Sequence, residues 1–243
     1  MSLLRLEGIG KRFGGVVAVR DLSFAVEEGE ILGIMGANGA VKTTVFSLIA
    51  GNQRPSEGKI HFDGRRIDSL RADAVNRCGI ARTYQIVRPF ATMSVLENVA
   101  IGAMYGAAQE PSPRAAMVRA RAVLDEVGLA NRADDLAGAL TLAGRKRLEI
   151  ARALATAPRI LMLDEVLAGL TPAEVDGALD MIREVRCRYG LTLIVIEHVM
   201  RALMRLCGRI VVLHHGEMIA EGAPQAVAND PRVIEAYLGS PAP

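Results

Sequence analysis

Residues 36–44 run Gly-Ala-Asn-Gly-Ala-Val-Lys-Thr-Thr, and those residue types at that spacing suit the binding of phosphate. Successive backbone N–H groups wrap the anion, Lys42 supplies a point charge, and Thr43 offers a hydroxyl to Mg²⁺. The pattern is Gly-x-x-x-x-Gly-Lys-Ser/Thr with one departure, Val41 in place of the second glycine. Gly36, Asn38, Gly39, Ala40, Val41, Lys42, Thr43 and Thr44 are the candidate phosphate contacts. Far along the chain, the apolar run Leu161-Met-Leu ends in Asp164-Glu165. Nucleotide hydrolysis needs such a second element, an apolar strand with carboxylates at its carboxyl end. Asp164 would hold the metal through water, and Glu165 would polarise the attacking water as general base. Elsewhere an Asp-Glu pair after a strand is a solvated loop start; the phosphate loop upstream gives this one a purpose.

These side chains need elements to hold them. A strand must precede the loop, and residues 30–35 are a short apolar run of that kind. The helix expected over residues 43–50, ended by Gly51, aims its N-terminal dipole at the anion. The first 35 residues read as β-rich, with period-two runs at 3–6, 16–19 and 22–26 broken by Gly14-Gly15 and by Glu27-Glu28-Gly29. A hairpin is expected around Asp63-Gly64, between runs at 59–62 and 66–67. From about residue 86 to 157 the pattern is helical. Ser94-Val-Leu-Glu97 is a capping box opening a helix through Met104, a second helix spans 114–127 before Gly128, and a third runs from the 140s to Thr156, before Pro158. Strand and helix then alternate: a buried strand at 159–164, a helix from Thr171-Pro-Ala-Glu174 to about Arg188, a strand at 191–196, and a strand pair at 209–213 and 217–220. The expectation is an α/β fold, a mostly parallel sheet flanked by helices, with an antiparallel β-rich layer and an inserted helical subdomain.

Composition narrows the function classes. At 243 residues with 51% hydrophobic content the chain can bury a large core, yet no apolar run approaches the roughly 20 residues that span a bilayer. The N-terminus lacks secretory signal organisation. A net charge of +2 is too small to argue for nucleic acid, and no nucleic-acid partner is expected. Cys78, Cys187 and Cys207 are scattered without metal-ligand spacing, as expected of reduced thiols in a cytosolic compartment.

With the loop, the helical insertion and the Asp-Glu pair in this order, the chain resembles the nucleotide-binding subunit of ABC transporters over essentially its whole length. The signature of that family, usually Leu-Ser-Gly-Gly-Gln, falls on Leu140-Thr-Leu-Ala-Gly144, followed by the characteristic run Arg147-Leu-Glu-Ile-Ala-Arg-Ala-Leu154. The resemblance implies a P-loop NTPase of the ABC ATPase type that binds ATP and Mg²⁺. It implies a RecA-like core with a β subdomain over residues 1–85 and 158–243, and a helical subdomain over about 86–157. It implies that Thr141 and the N–H groups near Ala143 meet the γ-phosphate bound by the opposite subunit. Gln85 would reach Mg²⁺ and the water, His198 the γ-phosphate, and Phe13 would stack on adenine. Catalysis then falls to Glu165, His198 and Gln85, and the metal to Thr43, Gln85 and Asp164. Ala168-Gly-Leu170 resembles the loop connecting the two subunits' sites.

Phe13-Gly-Gly-Val-Val-Ala-Val, Leu167-Ala-Gly-Leu-Thr-Pro172 and the ending Asp230-Pro-Arg-Val-Ile-Glu-Ala-Tyr-Leu238 are most similar to the ATPases of branched-chain amino acid importers. Importers of urea and other amides share that ending. The implied partners are a second ATP-binding subunit, as copy or paralogue, transmembrane permease subunits and, indirectly, a periplasmic solute-binding protein. The implied location is cytoplasmic, peripheral on the inner face of the plasma membrane.

Three positions depart from the family pattern. Ala37 and Val166 replace prolines, which loosens a turn without removing a reacting group. Val41 matters more, because its β-branched side chain stands where the backbone must approach phosphate closely. If the position is helical, the obstacle is steric; if it requires positive φ, the loop must deform. Two readings stay open: an ATPase that drives uptake, and a catalytically degenerate subunit that completes a paralogous partner's ATP site. A soluble ABC ATPase of repair or translation is a third, disfavoured by a single cassette without coiled-coil or basic extensions.

Overall fold

A computed structural model describes residues 2–36, 40–198 and 200–238. Its backbone contacts divide the chain into two compact units, one of residues up to 72 together with 193 onward, the other of residues 73–192.

The first unit opens with two long strands, β1 (Ser2–Phe13) and β2 (Val16–Glu27), paired antiparallel from Ser2↔Glu27 to Phe13↔Val16. Leu22, Phe24 and Val26 are buried at every second position of β2, as a pleated strand with one covered face requires. The sequence reads as two runs at 16–19 and 22–26, but β2 passes through the interval unbroken. A register shift between Ile9↔Leu22 and Lys11↔Val19 absorbs one extra residue, and Asp21 adopts a φ of 44° there. β3 (Ile31–Gly36) follows, then α1 (Ala40–Ile49), which buries Val45, Phe46, Leu48 and Ile49. β4 (Glu57–Phe62) adds to β1 and turns into β5 (Arg65–Arg66). Asp63 and Gly64 have φ of 50° and 73°, the positive pair a two-residue hairpin needs.

The second unit begins around α2 (Ala72–Cys78) and pairs β6 (Ile80–Arg82) in parallel with β7 (Ile160–Asp164), all five residues of β7 being buried. Between them lie α3 (Val95–Tyr105), α4 (Pro113–Glu126) and α5 (Leu142–Ala155), with α3 packed on both others. Local chemistry sets their ends. Ser94 and Glu97 form a reciprocal capping box on α3, and Ser112 caps α4 with Pro113 at its first turn. Leu148, Ala151, Leu154 and Ala155 of α5 face the core, and burying each leucine contributes about 1.5–3 kcal/mol. The contact between α3 and α5 is close enough that a Cβ on Gly102 would lie 2.4 Å from the Arg152 carbonyl oxygen. α6 (Pro172–Tyr189) has a Thr171–Glu174 capping box and ends at Gly190, whose φ of 62° is the left-handed stop.

The chain returns to the first unit along β8 (Thr192–Ile196), then α7 (Met200–Leu206), β9 (Arg209–His214), β10 (Glu217–Gly222), α8 (Pro224–Ala228) and α9 (Pro231–Leu238). Within this unit β3 lies between β8 and β9, parallel to both, and β10 closes the edge antiparallel to β9. Covered on both faces, β3 and β8 read as continuous apolar runs rather than alternating ones. Among the described residues no helix is long and apolar enough to cross a membrane.

Candidate nucleotide site

In the first unit β3 delivers Gly36 to the phosphate-binding segment. The approach to β9 leaves no room for a side chain: a Cβ on Gly36 would meet the Leu213 carbonyl oxygen at 2.5 Å. Ala37, Asn38 and Gly39 lie outside the described residues. The backbone becomes helical at Ala40, so Val41, Lys42 and Thr43 occupy the first turn of α1, where N–H groups have no intrahelical partner. Val41 is helical, and it is not among the described non-glycine residues with positive φ. Valine adopts this backbone without strain, which leaves the steric case. Lys42 is 1% exposed, and its ammonium donates to the Gly36 carbonyl at 2.5 Å. Thr43 is exposed and Thr44 buried.

Phe13 stands at the end of β1, 45% exposed, with the Lys11 ammonium 5.1 Å from its ring centre. An aromatic ring that open has a free face to offer a base. His198 is exposed two residues beyond β8. A contact the sequence does not reveal involves the C-terminal helix. Burial pushes the phenol of Tyr237 on α9 up to about 12, while the neighbouring Gly36 backbone pulls it down.

In the second unit the acidic pair comes off β7 as the sequence suggests. Asp164 is the last residue of the strand, 2% exposed, and its N–H donates to the Thr83 hydroxyl at 3.0 Å. Glu165 is 5% exposed and has a φ of 51°. Left-handed geometry costs a non-glycine residue about 1–2 kcal/mol, so its surroundings must hold it there. The Gln85 side-chain amide donates to Glu165 Oε2 at 2.6 Å, bringing together two residues singled out separately from the sequence. Thr141 is the N-cap of α5, its hydroxyl accepting from the Gly144 N–H at 3.2 Å, and Ala143 lies in the first turn.

Two basic residues in this cluster escape sequence reasoning. Arg82 donates to Asp164 Oδ2 at 2.7 Å, with side chains 6% and 2% exposed, so the carboxylate expected to reach a metal is also half of a buried ion pair. Lys146 is 5% exposed and donates to the Glu165 carbonyl at 2.9 Å and the Gln85 carbonyl at 3.4 Å. A signal exists for each. Arg82 ends an apolar strand run, and Lys146 lies on the helical face of Ile150 and Leu154, where a charge must find partners.

The donors suit Mg²⁺, which takes oxygen ligands and usually one or two carboxylates with phosphates and waters. Thr43 supplies a hydroxyl in the first unit. In the second, Asp164 supplies a carboxylate, and Gln85, whose amide nitrogen faces Glu165, has its carbonyl oxygen for a cation.

Comparison with known proteins identifies the family. Residues 19–168 match the family model described as ABC transporter, and residues 217–243 that described as branched-chain amino acid ATP-binding cassette transporter. The chain is 39% identical to the high-affinity branched-chain amino acid transport ATP-binding protein BraF of Pseudomonas aeruginosa, over 98% of each chain. It is 38% identical to the corresponding protein LivG of Escherichia coli K12, again over 98% of each. Among solved structures, an ATP-binding cassette of an ABC transporter in its ADP conformation superposes with a TM-score of 0.88 at 31% identity, covering 99% of this chain and all of that one.

Proposed function

The chain belongs to the ATP-binding proteins of the ABC transporter family, with their P-loop α/β fold, and from that premise we propose that it is the ATP-hydrolysing subunit of an importer for branched-chain amino acids or related solutes. The observation that carries the reading is the arrangement at the end of β7, where the exposed Gln85 holds the carboxylate of the buried Glu165 at 2.6 Å.

Each residue has a task that its chemistry suits. Phe13 stacks on adenine. The first-turn N–H groups of α1, the hydroxyl of Thr44 and Lys42 grip the phosphates, Lys42 leaving the Gly36 carbonyl to do so. Glu165 accepts a proton from the attacking water, and the bond from Gln85 orients it. His198 meets the γ-phosphate and stabilises charge as it develops there. Thr141 and the N–H groups near Ala143 are presented to nucleotide on a second ATP-binding subunit. When bound, Mg²⁺ offsets phosphate charge, and its assigned ligands are Thr43, Gln85 and Asp164. Permease subunits on the cytoplasmic face of the plasma membrane would convert this cycle into transport, with solute delivered by a periplasmic binding protein.

One observation favours the second reading, a degenerate subunit that completes a paralogue's site: Val41 occupies the first turn of α1. Proteoliposomes containing the subunit with its permeases and binding protein distinguish the two. An ATP-driven importer accumulates leucine, isoleucine or valine, and Glu165→Gln in this chain lowers its turnover by roughly 10²–10⁴-fold. Unchanged uptake with Glu165→Gln would assign hydrolysis to the partner alone.

A further inference from the structure

Lys146 lies beside the reacting groups yet has no part in the chemistry described above. It sits in line with Ile150 and Leu154, which are 3% and 1% exposed, so its stem runs through the core of the second unit. Burying an ammonium is costly unless it is hydrogen-bonded. The nearby acid on α5, Glu149, pairs with Arg152 at 3.0 Å, and Lys146 donates to main-chain oxygens of the two residues whose side chains bond each other. The contacts close a ring: Lys146 to the Glu165 carbonyl, the Glu165 carboxylate to the Gln85 amide, and the Gln85 carbonyl back to Lys146.

That ring explains how Glu165 keeps a left-handed backbone. The bond from Lys146 fixes the peptide after Glu165, and Val166 and Leu167, 3% and 5% exposed, anchor the chain beyond. If Glu165 relaxed to negative φ, its carboxylate would swing away from Gln85. We propose that Lys146 is a positioning residue for hydrolysis, locking the backbones of Glu165 and Gln85 so that the general base keeps its aim. The inference rests on Glu165 being that base. It also makes α5, which begins at the Thr141 cap, mechanically continuous with the base of the same chain.

The test compares Lys146→Met, which keeps the stem and removes the charge, with Lys146→Arg, which keeps a donor. Replacing a buried charge by an apolar side chain of similar volume is often neutral for stability, so the methionine protein is expected to fold. Two readouts are taken, the first being ATP turnover in this chain and in its Val41→Gly version. Lys146→Met should lower kcat ~10–100-fold with KM for ATP changed less than about threefold, and Lys146→Arg should recover most of the loss. The second is amide hydrogen exchange without nucleotide, which Lys146→Met should accelerate ~10-fold or more around residues 165–168 and 85 and leave unchanged in α4. The Ala168 N–H, which donates to the Glu165 carbonyl at 3.2 Å, is the most direct reporter. Unchanged kcat, a KM rise that accounts for the loss, or unchanged exchange at residues 165–168 would overturn the proposal. If neither loop version hydrolyses ATP, it is the ATPase reading that fails, and the exchange measurement still decides whether Lys146 holds this backbone.

Discussion

At the scale of single residues, Val41 has the largest leverage. It is helical, so valine meets no backbone penalty, and the proposed difficulty is bulk beside N–H groups that would approach an anion. Losing one or two charge-assisted hydrogen bonds, at roughly 1.5–3 kcal/mol each, weakens nucleotide binding by on the order of 10- to 10⁴-fold. Val41→Gly should therefore tighten binding of a fluorescent ATP analogue with Mg²⁺ by at least tenfold, while glycine in a helix turn costs stability at most about 1 kcal/mol. Equal affinities would mean that the loop accommodates valine. Lys42, Asp164 and Glu165 are legible in the sequence because each stands in a short, local pattern. Arg82 and Lys146 show in the sequence only as charges out of place, and what they pair with is not legible, because their partners lie 82 and 19 residues away and one of those partners is a main-chain carbonyl.

At the scale of elements, helix ends are the most legible features, since a cap is decided within four residues: Ser94 to Glu97 and Thr171 to Glu174 are read directly and found as full capping boxes. The continuity of β2 is not legible, because a bulge is settled by cross-strand register rather than by the strand's own residues. The role of α9 is likewise hidden. Its Tyr237 lies beside the Gly36 backbone, and the Gly36 carbonyl accepts from Lys42, so one residue links the C-terminal helix to the phosphate-binding lysine. Tyr237→Phe should cost no more than about 0.5–1.5 kcal/mol in urea unfolding, towards the lower end because Tyr237 is 39% exposed. The sign with pH follows from burial, which raises the phenol to about 12. The folded chain keeps that proton above pH ~10, where an unfolded tyrosine releases it. Its contribution is therefore complete below pH ~10 and lost as pH rises through about 12, and Tyr237→Phe should flatten that part of the pH–stability curve. An identical decline in both proteins would exclude Tyr237 as its source.

At the scale of the whole molecule, the α/β class was legible from the switch between period-two runs, helical spacing and continuous apolar strands. The β3 run and the Leu193–Ile196 part of β8 are apolar because both faces are covered, and β2 alternates at Leu22, Phe24 and Val26 because one of its faces is not. On the proposed function the transported solute would leave no trace, since this subunit would not touch it. What the chain as a whole is proposed to do is close on a second ATP-binding subunit around nucleotide, with its own Thr141 segment offered across. The most direct measurement is light scattering of the Val41→Gly, Glu165→Gln protein with saturating Mg·ATP, because removing the base while keeping the binding residues traps the closed state. The account predicts an ATP-dependent dimer that ADP does not support. A protein that binds ATP with the glycine in place yet stays monomeric, alone and with its paralogue, would contradict it.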